Sequence, residues 1–489
     1  MLTLGHVIEA LTGYQSGGGT QIITDVVIDP RLAIPGALFV ALPGEETVER
    51  GGVAAAFARG ASAALVQGDP LARDPALRCQ LLDLREPVTH AQVAGLDPPV
   101  CLRVEDTLKA MQTLATYWRG RLRPRVIGVT GSVGKTTTKE LIAAVLSTRY
   151  RTFKSEGNYQ HEVSLPLMLL KLTEAHECAV LEMGFDHPGE IKFLAEMARP
   201  QVGVVNNVYA VHLGQAGSIE AIARGKAELV EALPPAPEGV AVLNADDPLV
   251  LAMRHNTRAR VLTYGLDPQA DVWADSIESA GLDGVRFHLH FRHETLHVRV
   301  PLLGRHSVHT ALRAAAVGLV EGLSWQEILD GLNAVGATQL RLVAVTGPQG
   351  SVILDDTYSA SPESVVAALN LLHELEGRRV AVLGDMLELG SYEEMGHRLV
   401  GRRARDVVDL LVTVGPLARL IASEARDAGL PAEAVVELEN SQAAIDFLRQ
   451  NIRRGDVVLL KGSQGVMLDR VVPALEVRPP ALGPFEGRV

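Results

Sequence analysis

A glycine-rich stretch, "VTGSVGKTTTKE", follows a short apolar run and precedes an apolar-periodic one. This order predicts a strand, a loop and a helix, whose N–H groups converge on one point and favour an anion there. Lys135 is placed to reach the β/γ-phosphates of a nucleotide, and the Thr136 hydroxyl to ligate Mg²⁺. The standard phosphate loop has glycine where this chain has Val129, so the loop is a variant form. The residues predicted to surround the phosphates are Thr130, Gly131, Ser132, Val133, Gly134, Lys135, Thr136 and Thr137.

Three further polar side chains follow the next elements along the chain. Glu182 comes directly after "CAVL", His212 follows the next apolar run, and Lys226 falls in the helical pattern after that. Open α/β sheets place their sites at the carboxyl ends of strands, so we expect all three near the phosphate loop. Taken singly, each residue also has an ordinary structural explanation, as a solvated Glu, a His in a loop or a Lys on the surface. Together they indicate nucleotide and metal chemistry without identifying the reaction.

The elements that must position these residues divide into three sections. Residues 1–103 mix short β-branched runs with an Ala-rich helical pattern, which predicts a small α/β domain. Residues 104–336 alternate strands and helices, which predicts a mostly parallel sheet covered on both faces. Within them, 270–303 change to period-two alternation, typical of antiparallel hairpins. Residues 337–489 repeat the αβ rhythm and predict a Rossmann-like α/β domain.

Composition limits the partners. The chain has 489 residues, a net charge of −12 and 4% aromatic residues, which argues against a nucleic-acid surface. Cys79, Cys101 and Cys178 are odd in number and far apart in sequence, which fits neither a disulfide framework nor a Cys-based zinc site. Neither a secretory signal nor an apolar stretch that could span a bilayer is visible. We expect a cytoplasmic monomer that acts on small molecules.

Several motifs occur in the order and spacing of the Mur ligases, which this chain resembles. They are "VTGSVGKTTTKE", "EGNY", "LEMGFDHPGEI", "HLGQAGSIEAIARGKAEL", "LNADD", "LLGRH", "LDDTY" and "LGDMLELG". Mur ligases are ATP-dependent amide-bond-forming enzymes of peptidoglycan precursor synthesis. "GDMLELG" and the late "KGS" are most similar to the branch that adds D-alanyl-D-alanine to a UDP-N-acetylmuramoyl-tripeptide. The resemblance covers 126–470 well and 20–66 more faintly, where that branch holds the uridine nucleotide.

The resemblance implies a role for each matching residue. Lys135 would hold the ATP phosphates, Thr136 a first Mg²⁺, and Glu182 with His212 a second Mg²⁺. Lys226 matches a lysine that CO₂ carbamylates, which replaces an ammonium that Mg²⁺ would repel. Matching nucleotide contacts are Asn244 and His306 near the adenine, Arg341 at the γ-phosphate and Asp356 near the ribose. Matching substrate contacts are Asn158, Asp385, Glu388, Lys461 and Ser463.

Departures from the family pattern leave the substrates open. Asparagines of the family pattern are replaced at Gln160, His161, Ser307, Thr310, Ser359 and Ser361, and a glycine is replaced at Ser164. In the N-terminal section one motif reads "IDPR", and another expected near "VERGGVAAAF" is missing. Three hypotheses follow: the D-alanyl-D-alanine-adding ligase, a paralogue that ligates another carboxylate and amine, or a catalytically silent nucleotide-binding homologue. The retained Lys135, Glu182, His212 and Lys226 argue against the silent homologue.

Two other patterns suggest alternative ligands. "RRVAVLGD" is similar to a strand that leads to a dinucleotide loop, but no GxGxxG follows, which argues against NAD. "FHLHFRHETLHV" is rich in histidine, and His288 and His290 share one face of the predicted strand. The sequence offers them no acidic or cysteine partner nearby, so we expect solvent-facing histidines and no metal.

Overall fold

Three β-sheets organise the protein in a computed structural model that describes residues 1–15, 21–44, 51–157, 159–211, 213–334 and 342–477. The first sheet is parallel, in the order β1-β2-β3-β5-β4. Its strands are β1 (Val26–Val27), β2 (Leu38–Val40), β3 (Ala63–Val66), β4 (Gln80–Asp83) and β5 (Val100–Arg103). The helices of this part are α1 (Leu4–Thr12), α2 (Gly52–Ala58), α3 (Pro70–Arg73) and α4 (His90–Ala94).

The strands β2 and β3 of the first sheet are buried on both faces. Every residue of β2 and β3 is buried, as expected for parallel strands covered on two sides. The Sγ atoms of Cys79 and Cys101 lie 3.5 Å apart at the pairing of β4 with β5. Two of the cysteines that are far apart in sequence are therefore neighbours in the fold, both as free thiols.

The second sheet has nine strands, in the order β14-β13-β12-β11-β10-β9-β6-β8-β7. They are β6 (Arg125–Thr130), β7 (Thr152–Lys154), β8 (Cys178–Glu182), β9 (Val202–Val205), β10 (Val240–Asn244), β11 (Arg260–Gly265), β12 (Val272–Ser279), β13 (Val285–Phe291) and β14 (Glu294–Val300). Strands β9 to β12 pair in parallel, whereas β12, β13 and β14 pair antiparallel. The predicted change to antiparallel hairpins over 270–303 is confirmed.

The helices that accompany this sheet include one directly after the glycine-rich loop. They are α5 (Thr107–Arg121), α6 (Lys135–Ser147), α7 (Ser164–Leu170), α8 (Glu190–Ala198), α9 (Leu213–Ala216), α10 (Ile219–Glu231), α11 (Pro248–Ala252), α12 (Ser307–Val320) and α13 (Trp325–Ala334). Helix α6 begins at Lys135, so the predicted order of strand, loop and helix is confirmed. Among the described residues, none of the helices is both long enough and apolar enough to cross a bilayer.

The third sheet has the order β15-β16-β20-β17-β18-β19 and is parallel except for the edge strand β15. Its strands are β15 (Val343–Thr346), β16 (Val352–Asp356), β17 (Arg378–Gly384), β18 (Leu410–Val414), β19 (Val435–Leu438) and β20 (Asp456–Lys461). The helices are α14 (Pro362–Glu374), α15 (Glu393–Val407), α16 (Arg419–Asp427), α17 (Ser441–Asn451) and α18 (Val471–Leu475).

Alternate residues of the third sheet belong to two separate apolar clusters. Ala381 and Leu383 pack in one cluster, whereas Val380 and Val382 pack in the other. Successive side chains of a strand point to opposite faces, so helices cover this sheet on both sides. The predicted α/β class is confirmed.

Backbone contacts divide the chain into two compact units. The first comprises 1–128, 150–184 and 189–201, and the second comprises 129–149, 185–188 and 202–489. These limits differ from the predicted domain limits of 1–103, 104–336 and 337–489, which stay a prediction.

A buried arginine stabilises the first unit. Arg119 on α5 donates from Nε to Ala198 O at 2.7 Å, and its terminal nitrogens donate to Leu122 O at 3.0 Å and Arg199 O at 3.3 Å. Burial and the nearby Arg199 lower the pKa of the Arg119 guanidinium to about 10. The side chain therefore remains charged at neutral pH and joins the end of α5 to the end of α8.

We expect Arg119→Met to lower the free energy of unfolding by about 2–4 kcal/mol, because buried carbonyl groups lose charged donors. Chemical denaturation with circular dichroism measures this change. Arg121→Met is the control, since Arg121 lies on the same helix and its side chain is 48% exposed. If the Arg119 variant is as stable as the Arg121 variant, these hydrogen bonds make no net contribution to the free energy of unfolding.

Candidate nucleotide and metal site

The loop between β6 and α6 presents an open helix end. Gly134 precedes α6 with left-handed backbone angles (φ 79°, ψ 10°), and no described side chain caps this end of the helix. The N–H groups of the first helical turn are thus directed at the loop, and the helix dipole adds positive potential there. This geometry suits an anion such as a nucleotide phosphate.

Two asparagines after β9 hold the loop in shape. The N–H of Ser132 donates to Asn207 O at 3.1 Å, and the N–H of Val133 donates to Asn207 Oδ1 at 2.9 Å. In return, Asn206 and Asn207 each donate from Nδ2 to Val133 O, at 3.1 and 3.2 Å. Sequence reasoning missed both residues. The available signal was a pair of amides directly after a buried strand of a predicted parallel sheet.

Gly131 permits the close approach of the loop to this pair. Its φ is +152°, and a Cβ atom there would lie 2.5 Å from Asn206 Cβ, closer than real contacts allow. Lys135 folds back over the loop and donates from Nζ to Gly131 O at 3.1 Å. The ammonium group is therefore held beside the helix end, where a phosphate would bind.

Further polar residues support Asn206 from the neighbouring strands. Asn244, which ends β10, donates from Nδ2 to Asn206 O at 3.0 Å. The hydroxyl of Tyr264 on β11, fully buried, donates to the same carbonyl at 3.2 Å. Asp247 accepts from the N–H of Val208 at 2.8 Å and also caps α11. The predicted adenine contact, Asn244, thus lies within a network that positions the phosphate loop.

The start of α12 contains two of the departures from the family pattern. Ser307 donates to Leu303 O at 2.6 Å, and Thr310 accepts from Arg313 at 3.4 Å. Arg313 is buried and also donates to Thr138 Oγ1 of α6 at 2.5 Å. The hydroxyls that replace asparagine here are satisfied inside the fold. His306 precedes this helix as an exposed side chain.

Glu182 is fully buried at the end of β8 in the first unit, and its N–H donates to Ser155 Oγ at 3.2 Å. The following turn is held by two substituted positions. Gly184 N–H donates to Gln160 O at 2.8 Å, and the His161 ring packs so closely that a Cβ at residue 184 would lie 2.3 Å from it. His161 Nδ1 also lies 2.7 Å from Glu190 Oε1.

Lys226 lies on α10 in the second unit and is 3% exposed. Its Nζ lies 5.2 Å from the ring centroid of Phe185. The same ring covers Gly225, where a Cβ would lie 1.9 Å from Phe185 Cε2. Lys226 is therefore a buried amine packed beside the Phe185 ring.

Three predicted site residues, Asn158, His212 and Arg341, lie outside the described residues. Their roles stay predictions.

Two residues predicted to contact different ligands form one buried ion pair in the third sheet. Lys461 Nζ lies 2.6 Å from Asp356 Oδ2 and donates to Ser359 O at 2.9 Å. Both side chains end parallel neighbouring strands, in direct register. Lys461 is 2% exposed, so its ammonium is satisfied by the protein.

The other predicted substrate residues join two loops of the same sheet. Asp385 accepts from the N–H of Ala418 at 2.7 Å, and Ser463 Oγ accepts from the N–H of Leu387 at 2.9 Å. Glu388 has a left-handed backbone with φ +65°. Ser361, a substituted position, caps α14 through its side chain.

The combination of a parallel sheet, a glycine loop and an open helix end defines a nucleotide-phosphate-binding α/β protein. Residues 129–318 match the Mur ligase middle domain, and residues 340–464 match the Mur ligase glutamate ligase domain. The chain is 34% identical to the UDP-N-acetylmuramoyl-tripeptide–D-alanyl-D-alanine ligase of Bacillus subtilis, covering 93% of each chain. It therefore belongs to the Mur ligase family, whose members are ATP-dependent ligases.

Other relatives agree with this assignment. The Escherichia coli ligase of the same name is 33% identical, with 97% of this chain and 98% of the relative covered. A crystal structure of MurF from Acinetobacter baumannii superposes with a TM-score of 0.79 at 28% identity, covering 96% of this chain and 98% of that one. The resemblance inferred from the motifs is confirmed.

We expect Lys135→Ala to reduce ATP turnover by at least about 100-fold, because a cation that stabilises the transferring phosphoryl group is lost. Phosphate release under saturating ATP measures this effect. Lys109→Ala removes an exposed lysine of α5 and should leave turnover unchanged. Near-normal turnover in the Lys135 variant would contradict the assigned role.

We expect Gly225→Ala to destabilise the second unit by about 1–3 kcal/mol, because the new methyl group displaces the Phe185 ring from above Lys226. Thermal unfolding and phosphate release report the two effects. The double variant Gly225→Ala/Phe185→Leu should recover most of the stability. If the double variant is no more stable than the single one, the ring is not the cause.

Proposed function

We propose that this chain joins the amine of D-alanyl-D-alanine to the terminal carboxylate of a UDP-N-acetylmuramoyl-tripeptide, at the expense of ATP. The observation that carries this proposal is the 34% identity, over 93% of each chain, to a ligase of that name. The phosphate loop adds independent support, since its amides lie at an open helix end and Lys135 lies beside them, where they would bind the triphosphate.

The chemistry requires an activated carboxylate. A carboxylate is a poor acyl donor because its oxygen is a poor leaving group. Transfer of the γ-phosphoryl group of ATP to that oxygen gives an acyl phosphate and ADP. The amine then attacks the acyl carbon, phosphate leaves with the former carboxylate oxygen, and the amine loses a proton. Lys135 and the loop N–H groups, together with Arg341 from the C-terminal section, would spread the charge on the transferring group.

Two Mg²⁺ ions belong to this proposal. Thr136 would hold the first, while Glu182, His212 and the carbamylated Lys226 would hold the second. Bound Mg²⁺ supplies charge neutralisation between the anionic carboxylate and the triphosphate. Glu182 and a carbamate offer oxygen donors, which Mg²⁺ prefers. We further propose that the protein acts as a monomer in the cytoplasm.

One assay tests the function. Purified protein with ATP and Mg²⁺ is supplied with UDP-N-acetylmuramoyl-tripeptide and D-alanyl-D-alanine, separately and together, and phosphate release is measured. Release that requires both substrates is the expected result. Phosphate release only with another carboxylate and amine would identify a paralogue of different specificity. The seven substituted motif positions would then contribute to that change of specificity. No release with any pair would favour a silent nucleotide-binding homologue.

We expect Lys226→Ala to abolish ligation, because the variant cannot form the carbamate that the second metal requires. The same phosphate-release assay measures the loss, and nucleotide binding measured by calorimetry without the muramoyl substrate should persist. Lys109→Ala serves again as the exposed control. Wild-type ligation by the Lys226 variant would remove that residue from the mechanism.

A further inference from the structure

The antiparallel part of the second sheet brings histidines and a carboxylate into two adjacent rows. Asp275 on β12 is directly opposite His288 on β13, which in turn is opposite His297 on β14. In the next row, Trp273 is opposite His290. Side chains that are directly opposite or two residues apart share one face of a sheet. All five therefore lie on the same face.

Three of these residues, Asp275, His288 and His290, form what we term the Asp–His cluster. His288 Nδ1 lies 3.3 Å from Asp275 Oδ1, and His290 Nε2 lies 3.2 Å from Asp275 Oδ2. One donor atom from each residue lies within 4.8 Å of the other two. The expectation that these histidines have no acidic partner is wrong, because the partner comes from the adjacent strand.

The donor atoms converge without satisfying one another. Asp275 Oδ1 and His290 Nε2 are buried atoms that have no hydrogen-bond partner among the described residues. A tetrahedral metal with ligand bonds of about 2.0–2.1 Å separates its ligand atoms by roughly 3.3 Å. The 3.3 Å between Asp275 Oδ1 and His288 Nδ1 equals that separation, and His290 Nε2 lies 3.2 Å from the other oxygen of the same carboxylate.

The surroundings hold the cluster in this arrangement. Trp273 stacks on His290 with ring centroids 3.8 Å apart and planes at 14°, and His297 packs edge-on against His288 at 4.3 Å. The register shifts directly after Asp275, where Ser276 has a φ of +51°. Such a bulge redirects side chains at the end of a regular pairing. The His290 ring is 16% exposed and the Asp275 side chain 46%, so an ion can reach the cluster from solvent.

We propose that Asp275, His288 and His290 bind one divalent transition-metal ion, with Zn²⁺ the best fit and water completing the coordination. Two imidazoles and a carboxylate suit Zn²⁺, Co²⁺ or Ni²⁺, whereas Mg²⁺ prefers oxygen donors alone. The ion would cross-link β12 to β13 beside the bulge. Strand β12 is three strands from β9, on the order of 14 Å, so the ion acts on stability and takes no part in phosphoryl transfer.

Metal titration of the full chain tests this proposal. Metal-free protein in buffer with excess Mg²⁺, which occupies the oxygen-donor sites, is titrated with Co²⁺ and followed by calorimetry and by visible absorption. The wild type should bind one more Co²⁺ than the His288→Ala/His290→Ala variant. Asp275→Asn should weaken that site by at least about tenfold, since loss of a direct ligand costs no less than loss of an outer-shell partner.

His293→Ala is the matched control, because His293 lies exposed in the turn of the same hairpin, outside the cluster. It should bind Co²⁺ as the wild type does, and Zn²⁺ should raise the melting temperature of both. The Asp275→Asn variant, which preserves side-chain shape, should show a smaller rise at the same Zn²⁺ concentration, because its site is weaker. Equal Co²⁺ stoichiometry and affinity in the wild type and in both cluster variants would overturn the proposal.

Discussion

The contact between the Gly131 backbone and the Asn206 side chain constrains the rest of the site. A phosphate loop must direct its N–H groups outward and yet keep one shape, and here the side chains behind it provide that shape. Asn206 is itself fixed by Asn244 and Tyr264, which come from the next two strands. The position of a bound phosphate thus depends on the parallel register of β9, β10 and β11. A substitution deep in that sheet would therefore alter the binding of the phosphate without contacting the nucleotide.

Features that depend on residues close together in the chain could be predicted from the sequence. The glycine loop, the helix after it and the change from parallel strands to antiparallel hairpins each depend on patterns within about 10–30 residues. Residues that meet across strands were not predictable in the same way. Asp356 and Lys461 are 105 positions apart, and Asp275 meets His288 and His290 only because of one particular register and bulge. A single sequence does not report strand register, so such pairs stay hidden.

Three of the substituted motif positions are accommodated locally. Ser307 bonds to a carbonyl one turn earlier, Ser361 caps its own helix, and His161 contacts a glutamate at the start of α8. These three polar side chains therefore have partners within the protein. Gln160 differs, because its side-chain oxygen is buried with no hydrogen-bond partner among the described residues. At the three satisfied positions, the question of substrate choice is separate from the question of stability.

The burial of Lys226 has a consequence for how its chemistry can be observed. The chain contains 8 lysines among its 46 basic residues, the others being arginines. Lys139, Lys226 and Lys461 are all buried, at 0%, 3% and 2% exposure. Guanidinium groups keep their proton and do not add CO₂, so the arginines form no labelled carbamate in isotope-labelled bicarbonate. Carbamate formation is thus confined to the eight lysines and the N-terminal amine, which limits the number of carbon resonances among which a Lys226 carbamate would have to be assigned.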